Sequence, residues 1–294
     1  MSNAADRESV PVSSNPMGLD GIEFIEYATS KPQALGAVLE RMGFRPIARH
    51  RSREVDLYRQ GSMNIVVNSQ PADIPRASDP VEWPVISALG LRVRDAEAAL
   101  RRAVDLGGWE IPVRARAMEL NIPAIHGVGG SLIYFIDRYD EFSIFDIDFH
   151  KIPGVAADPP AIEGLHFFGI VQYVAVGRSD DWVEFYSQIF GFLPIPDSVR
   201  FGIMPRGTLL QSPCKKYYLQ LVQPEGAAQY AQMDEHLQRV GLGTPDVRRA
   251  AAALEARGIG FLASDKLQTN ERGALTSPLL GGLMFELVHS APKG

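Results

Sequence analysis

Two stretches of the chain run through the same succession of residue types 148 positions apart. In the first, Gly21-Ile22-Glu23-Phe24-Ile25-Glu26-Tyr27 alternates like a half-buried strand, a helical pattern runs from Lys31 to Met42, and Gly43-Phe44-Arg45-Pro46-Ile47 follows. In the second, Gly169 to Ala175 reads as a strand, Asp180 to Ile189 as a helix with Trp182, Phe185, Tyr186 and Ile189 on its apolar face, and Gly191-Phe192-Leu193-Pro194-Ile195 closes the unit. Second helices repeat too. Asp95 to Leu106 stops at Gly107 and Asp246 to Arg257 stops at Gly258, 151 positions later, each with Asp at the cap and Gly at the end. Strand, helix and turn recurring in one order imply a duplicated unit rather than two unrelated domains.

Short strands complete each unit, the clearest being Glu54 to Tyr58, Met63 to Asn68 and Tyr217 to Val222. The expected fold class is therefore α+β, in two halves with curved mixed sheets whose concave faces can hold a ligand. The expected boundaries are a tag and disordered tail at 1–17, an N-terminal half at 18–151, a Pro-rich linker at 152–160 and a C-terminal half at 161–294. Side chains alternate along a strand, so only one parity of residues can reach a cavity.

Hydrophobic residues at 46% and charged residues at 22% suit a compactly folded chain. A net charge of −6 argues against a general affinity for nucleic-acid backbones. Cys214 is the only cysteine, which excludes intramolecular disulfides and thiolate zinc sites and points to the reducing cytoplasm. No apolar run approaches the ~20 residues that span a bilayer, so no membrane partner is expected.

The runs Gly18 to Ala28, His50 to Gly61 and Met118 to Gly130, with Tyr134-Phe135-Ile136-Asp137-Arg138 and Asp146-Ile147-Asp148-Phe149, resemble the bacterial 4-hydroxyphenylpyruvate dioxygenase family. The likeness extends from Gly18 to Val288, dense in the first half and thin in the second, as for a divergent member. It implies the vicinal-oxygen-chelate fold of the glyoxalase/bleomycin resistance/dioxygenase superfamily, with tandem βαβββ modules, a structural N-terminal half and a catalytic C-terminal half. It also implies Fe(II), held by two histidines and a glutamate with positions left open for an α-keto acid and O₂.

Carried over residue by residue, those ligand positions fall on Gly169, Arg239 and Glu286. Glycine offers no side chain, and arginine in the Gln238-Arg239-Val240 pattern offers only donors on a permanent cation. Glu286, in Met284-Phe285-Glu286-Leu287, keeps the family's metal-ligand position. His166, His236 and His289 each lie three residues from one of these positions, an offset that a regular strand places on the opposite face unless a bulge intervenes. The family's C-terminal helix, which covers the active site, has no expected counterpart between Glu286 and Gly294.

Arg239 and Glu286 are thus expected to converge as an ion pair, with Gln238 beside them, where the guanidinium takes the metal's place and binds a carboxylate ligand. Other polar features read as structural. Asp95 and Asp246 are helix caps, Gly127 to Gly130 is a turn with His126 in it, and Asp146 and Asp148 are the solvated face of an edge strand. Glu23 and Glu26 cannot both face one cavity, and Cys214 beside Lys215 and Lys216 has no histidine next to it.

Three functions are compatible with this pattern. The first is a dioxygenase-like protein with an incomplete Fe(II) triad that binds a small aromatic or keto acid without dioxygenation. The second is a functional metal-dependent dioxygenase acting on an aromatic α-keto acid. The third is a non-catalytic interaction module. A homodimer is the expected assembly by analogy with the family.

Overall fold

A computed structural model of the chain describes residues 15–70, 83–112, 119–140, 142–196, 198–199, 201–203, 207–223, 234–263 and 268–291. Residues 1–14 of the expected tail, and Met118, lie outside this set.

The N-terminal half runs β1 (Ile22–Ala28), α1 (Pro32–Arg41), β2 (Arg45–His50), β3 (Val55–Gln60), β4 (Met63–Asn68), β5 (Val85–Arg92), α2 (Ala96–Asp105), β6 (Ala124–His126), β7 (Leu132–Ile136), α3 (Ile144–Asp148) and β8 (Phe149–Lys151). The C-terminal half runs β9 (His166–Tyr173), α4 (Ser179–Phe185), β10 (Leu193–Pro194), β11 (Thr208–Gln211), β12 (Tyr218–Val222), β13 (His236–Thr244), α5 (Val247–Glu255), β14 (Gly273–Leu275) and β15 (Phe285–His289). The sheets are ordered β6-β7-β5-β1-β4-β3-β2-β8 and β10-β11-β12-β9-β13-β15-β14. The repeat is visible in this order, because β9 and β13 pair antiparallel at the centre of one sheet as β1 and β5 do in the other. This is the α+β arrangement of curved mixed sheets that the repeat implied.

Both capped helices form as read. Asp95 accepts from the Ala98 N–H and Asp246 from the Arg249 N–H, each satisfying one of the donors left open at a helix start. The helix after β9 differs from its expected form, since α4 ends at Phe185 and the chain continues as one π turn over Tyr186–Phe190. That wider turn lets Phe185, Tyr186, Phe190 and Phe192 pack at ring separations of 5.2 to 6.4 Å.

Two short-range expectations are corrected. Asp146 and Asp148 are not the solvated face of an edge strand. Asp146 closes a capping box with Ser143 at the start of α3, and Asp148 is buried and accepts from the Leu120 N–H. The Ser-x-x-Asp spacing favours this helical start over an extended strand. At the other end of the chain, the ordered fold begins before residue 18. Asn15 exchanges hydrogen bonds with Leu19, and Met17 is buried in the core.

The largest core cluster is continuous across the halves, joining Ile25, Leu39, Phe44 and Phe135 to Phe190, Leu242 and Phe285. Reciprocal arginines clasp it from outside. Arg102 donates to the Gln188 and Ile189 carbonyls, and Arg257 to those of Glu40 and Arg41, so each half caps the end of a helix in the other. A second cluster fills the N-terminal sheet's own face, where Phe24, Leu57 and Val66 meet Ile144 and Phe145 of α3. Among the described residues, no helix is long and apolar enough to cross a membrane.

Candidate functional site

The C-terminal sheet carries a cavity of about 660 Å³ on the face that its N-terminal counterpart fills with side chains. Register explains its floor. Tyr218 of β12, Gly169 of β9, Gly241 of β13 and Glu286 of β15 lie in one row across four adjacent strands, and all four line the cavity. Directly opposed residues share a face, so the two glycines leave bare backbone between a phenol and a carboxyl group. Phe168, Phe201 and Tyr218 form the apolar wall, with ring separations of 5.2, 4.9 and 4.6 Å. Gln220 and Thr208 add polar groups to the lining.

Arg239 and Glu286 come together, with the Arg239 Nε 3.4 Å from the Glu286 Oε2 and exposures of 1% and 4%. The separation is long for a charge-assisted hydrogen bond. Burial pushes the Glu286 carboxyl up to about 7, against the opposing pull of the Arg239 guanidinium and the Ile203 N–H. Gly202, at φ +60°, sits so close over this carboxyl that a Cβ there would lie 2.4 Å from the Glu286 Oε1. Glu286 reaches the cavity surface, whereas Arg239 lies outside its lining.

Gln238 also lies outside the lining. It is the extra residue of a β-bulge between Leu237 and Arg239, and its Oε1 pairs with the His236 Nε2 at 2.6 Å. Bulges also correct the parity assigned to two histidines. The bulge at Gln238 sets His236 opposite Tyr173, and a second at Phe168 sets His166 opposite Gly243, so both occupy the face that bears Arg239 and Glu286. Both rings hold other partners. His166 is held by the Gly164 carbonyl and the Ser290 hydroxyl, and His236 by the Asp234 carbonyl and Gln238 while it packs on the Tyr173 ring. His289 is exposed and has the parity opposite to Glu286.

Gly169 and Arg239, which the resemblance aligns with the family's two histidine ligands, do not suit Fe(II). A Cβ at Gly169 would lie 2.5 Å from the Tyr218 carbonyl oxygen, so this backbone leaves no room for an imidazole there. Arg239 is a buried guanidinium, and repels rather than binds a cation. Among the described residues, no three His, Cys, Asp or Glu side chains are grouped to hold a metal.

Sequence reasoning missed Phe168, Phe201, Tyr218 and Gly241. For Gly241 a signal exists, since Arg239-Val240-Gly241 places a second bare position two residues from Arg239 on one strand face. The three aromatics come from separate segments, and no single-strand pattern brings them together.

Comparison with known proteins agrees with this architecture. Residues 13–150 match the family described as hydroxyphenylpyruvate dioxygenase, N-terminal, and residues 165–287 match the glyoxalase/bleomycin resistance protein/dioxygenase superfamily. The chain is 41% identical over 183 residues to 4-hydroxyphenylpyruvate dioxygenase of Pseudomonas sp. strain P.J. 874, a match covering 62% of this chain and 51% of that protein. It is 31% identical over 267 residues to the Pseudomonas aeruginosa 4-hydroxyphenylpyruvate dioxygenase, covering 85% of this chain and 73% of that one. A solved xylose isomerase-like TIM barrel/4-hydroxyphenylpyruvate dioxygenase fusion protein superposes with a TM-score of 0.74 at 24% identity, over 95% of this chain and 50% of that chain, which bears on the fold. With both halves matched in order and a relative 31% identical over 85% of the chain, the chain belongs to the 4-hydroxyphenylpyruvate dioxygenase family.

Proposed function

We propose that this family member binds a small aromatic acid in its C-terminal cavity and does not carry out the family's dioxygenation. The observation that carries the reading is the buried Arg239–Glu286 pair, at two positions that the resemblance aligns with iron ligands, beside a wall of three aromatic rings. A site of this composition suits a ligand with a planar apolar body and one anionic end.

The charge of the pair is adjustable. With Glu286 titrating at about 7, the pair is neutral when the carboxyl is ionised and carries +1 when it is protonated. An anionic ligand favours the protonated form, in which Glu286 donates a hydrogen bond while Arg239 supplies the positive field from behind it. Binding of an aromatic acid is therefore linked to proton uptake near neutral pH.

Calorimetric titration with phenylpyruvate at pH 7.5, in two buffers of different ionisation enthalpy, tests the proposal. Uptake of a fraction of a proton is expected for the wild type and none for Glu286→Gln. Saturable binding with no buffer dependence removes Glu286 from the site, and absence of binding removes the aromatic-acid reading itself.

A further inference from the structure

The cavity floor has a counterpart within the same molecule. In the N-terminal sheet the corresponding central pair is Phe24 of β1 opposite Gly90 of β5, just as Gly169 of β9 lies opposite Gly241 of β13. The Phe24 ring lies over Gly90 so closely that a Cβ at Gly90 would meet its edge at 2.4 Å. The next strand outward contributes Tyr134 beside Gly90 and Glu286 beside Gly241, and the Phe24 and Tyr134 rings are 5.9 Å apart. Thus one half fills the space above its central glycine with a phenyl ring from its own chain. The other half has glycine on both strands and an open cavity above them.

We propose that a bound aromatic ring lies flat on the Gly169 and Gly241 backbone, in the place that corresponds to the Phe24 ring, and that Gly241 is the residue that selects a ring over an aliphatic chain. This deepens the aromatic-acid reading and rests on it. Adjacent strands are about 4.8 Å apart, so the two bare positions between Tyr218 and Glu286 give a slot roughly two strand spacings wide. A planar ring fills such a slot with dispersion contacts to backbone on one face and to Phe168, Phe201 and Tyr218 around its rim. Its acid group then falls at the Glu286 end of the row.

The two glycines differ in what a methyl group would meet. At Gly241 a Cβ has the Gly169 backbone at 3.4 Å and the Phe168 ring at 3.7 Å, which is ordinary contact, and φ is not positive there. At Gly169 it would strike the Tyr218 carbonyl at 2.5 Å. Gly241→Ala therefore fills the slot while leaving the fold intact.

Phenylpyruvate and the ring-free 2-oxobutyrate are titrated against wild type and Gly241→Ala, with thermal unfolding of both proteins. In parallel, the Hα resonances of Gly169 and Gly241 in the wild type are followed by NMR as phenylpyruvate is added, which needs no variant to fold. The expected result is a loss of at least about tenfold for phenylpyruvate in Gly241→Ala, little change for 2-oxobutyrate, and upfield ring-current shifts at both glycines of the wild type. Phenylpyruvate binding that Gly241→Ala leaves unchanged, or binding without those glycine shifts, overturns the slot while the aromatic-acid reading stands. Failure of the wild type to bind phenylpyruvate overturns both.

Discussion

The Arg239 guanidinium and the Glu286 carboxyl meet inside the C-terminal sheet with the Nε and Oε2 atoms 3.4 Å apart, both nearly inaccessible to water. Arg239 is a fixed cation, whereas Glu286 changes charge near neutrality, so the pair responds to pH through one partner only.

Stability should record that asymmetry. The Glu286 carboxyl titrates at about 7 in the fold and at 4.5 as an unperturbed side chain. Between those values the native state holds a proton that the unfolded chain has released, so this group's contribution is complete below about 4.5 and is lost as pH rises through 7. A shift of this size corresponds to a loss on the order of 3 kcal/mol. Urea midpoints for wild type and Glu286→Gln at pH 5, 6, 7 and 8 measure it. The variant should have the flatter profile, and parallel profiles would remove Glu286 as the source.

Removing the cation should cost more than removing the pair. Arg239→Met leaves Glu286 as a buried acid without its opposing charge, which raises its pKa further and destabilises the protein by about 3–5 kcal/mol, most strongly above pH 7. Arg239→Met with Glu286→Leu puts apolar volume in place of both and should recover most of that loss. A double-mutant cycle by urea denaturation at pH 8 gives the coupling directly, and additive losses would contradict the interaction.

Histidines placed at positions 169 and 239 should not create an iron site. A side chain at position 169 has to displace the Tyr218 carbonyl, so even Gly169→Ala is expected to destabilise by about 1–3 kcal/mol. Gly169→His/Arg239→His, purified with added Fe(II), should therefore melt below wild type and hold less than one equivalent of metal. Stoichiometric iron in that variant, by metal analysis, would disprove the steric account.

The C-terminal half should depend on its helix cap. Asp246 accepts from the Arg249 N–H at 3.0 Å at the start of α5, and Asp246→Ala should cost about 1 kcal/mol in chemical denaturation. Asp246→Asn, which keeps an acceptor in place, should retain most of the stability, and equal losses for the two variants would point to the charge instead.

Sequence by itself determined the repeat, the fold class and the capped helices. Those features are local or periodic: Asp at a helix start, Gly at its end, alternation along β1 and β9, and one order of elements used twice. Tertiary structure alone decided which faces the residues occupy. Bulges at Phe168 and Gln238 moved His166 and His236 onto the face that a count of three assigns them away from, because an inserted residue reverses the alternation without marking the sequence. The cavity's composition was settled the same way. Phe168 and Tyr218 meet through the pairing of β9 with β12, Phe201 joins them from the segment between β10 and β11, and Gly169 stands beside Gly241 only through the pairing of β9 with β13. Cross-strand register arises from the packing of the whole sheet, so residues separated by 72 positions in sequence become neighbours on one floor.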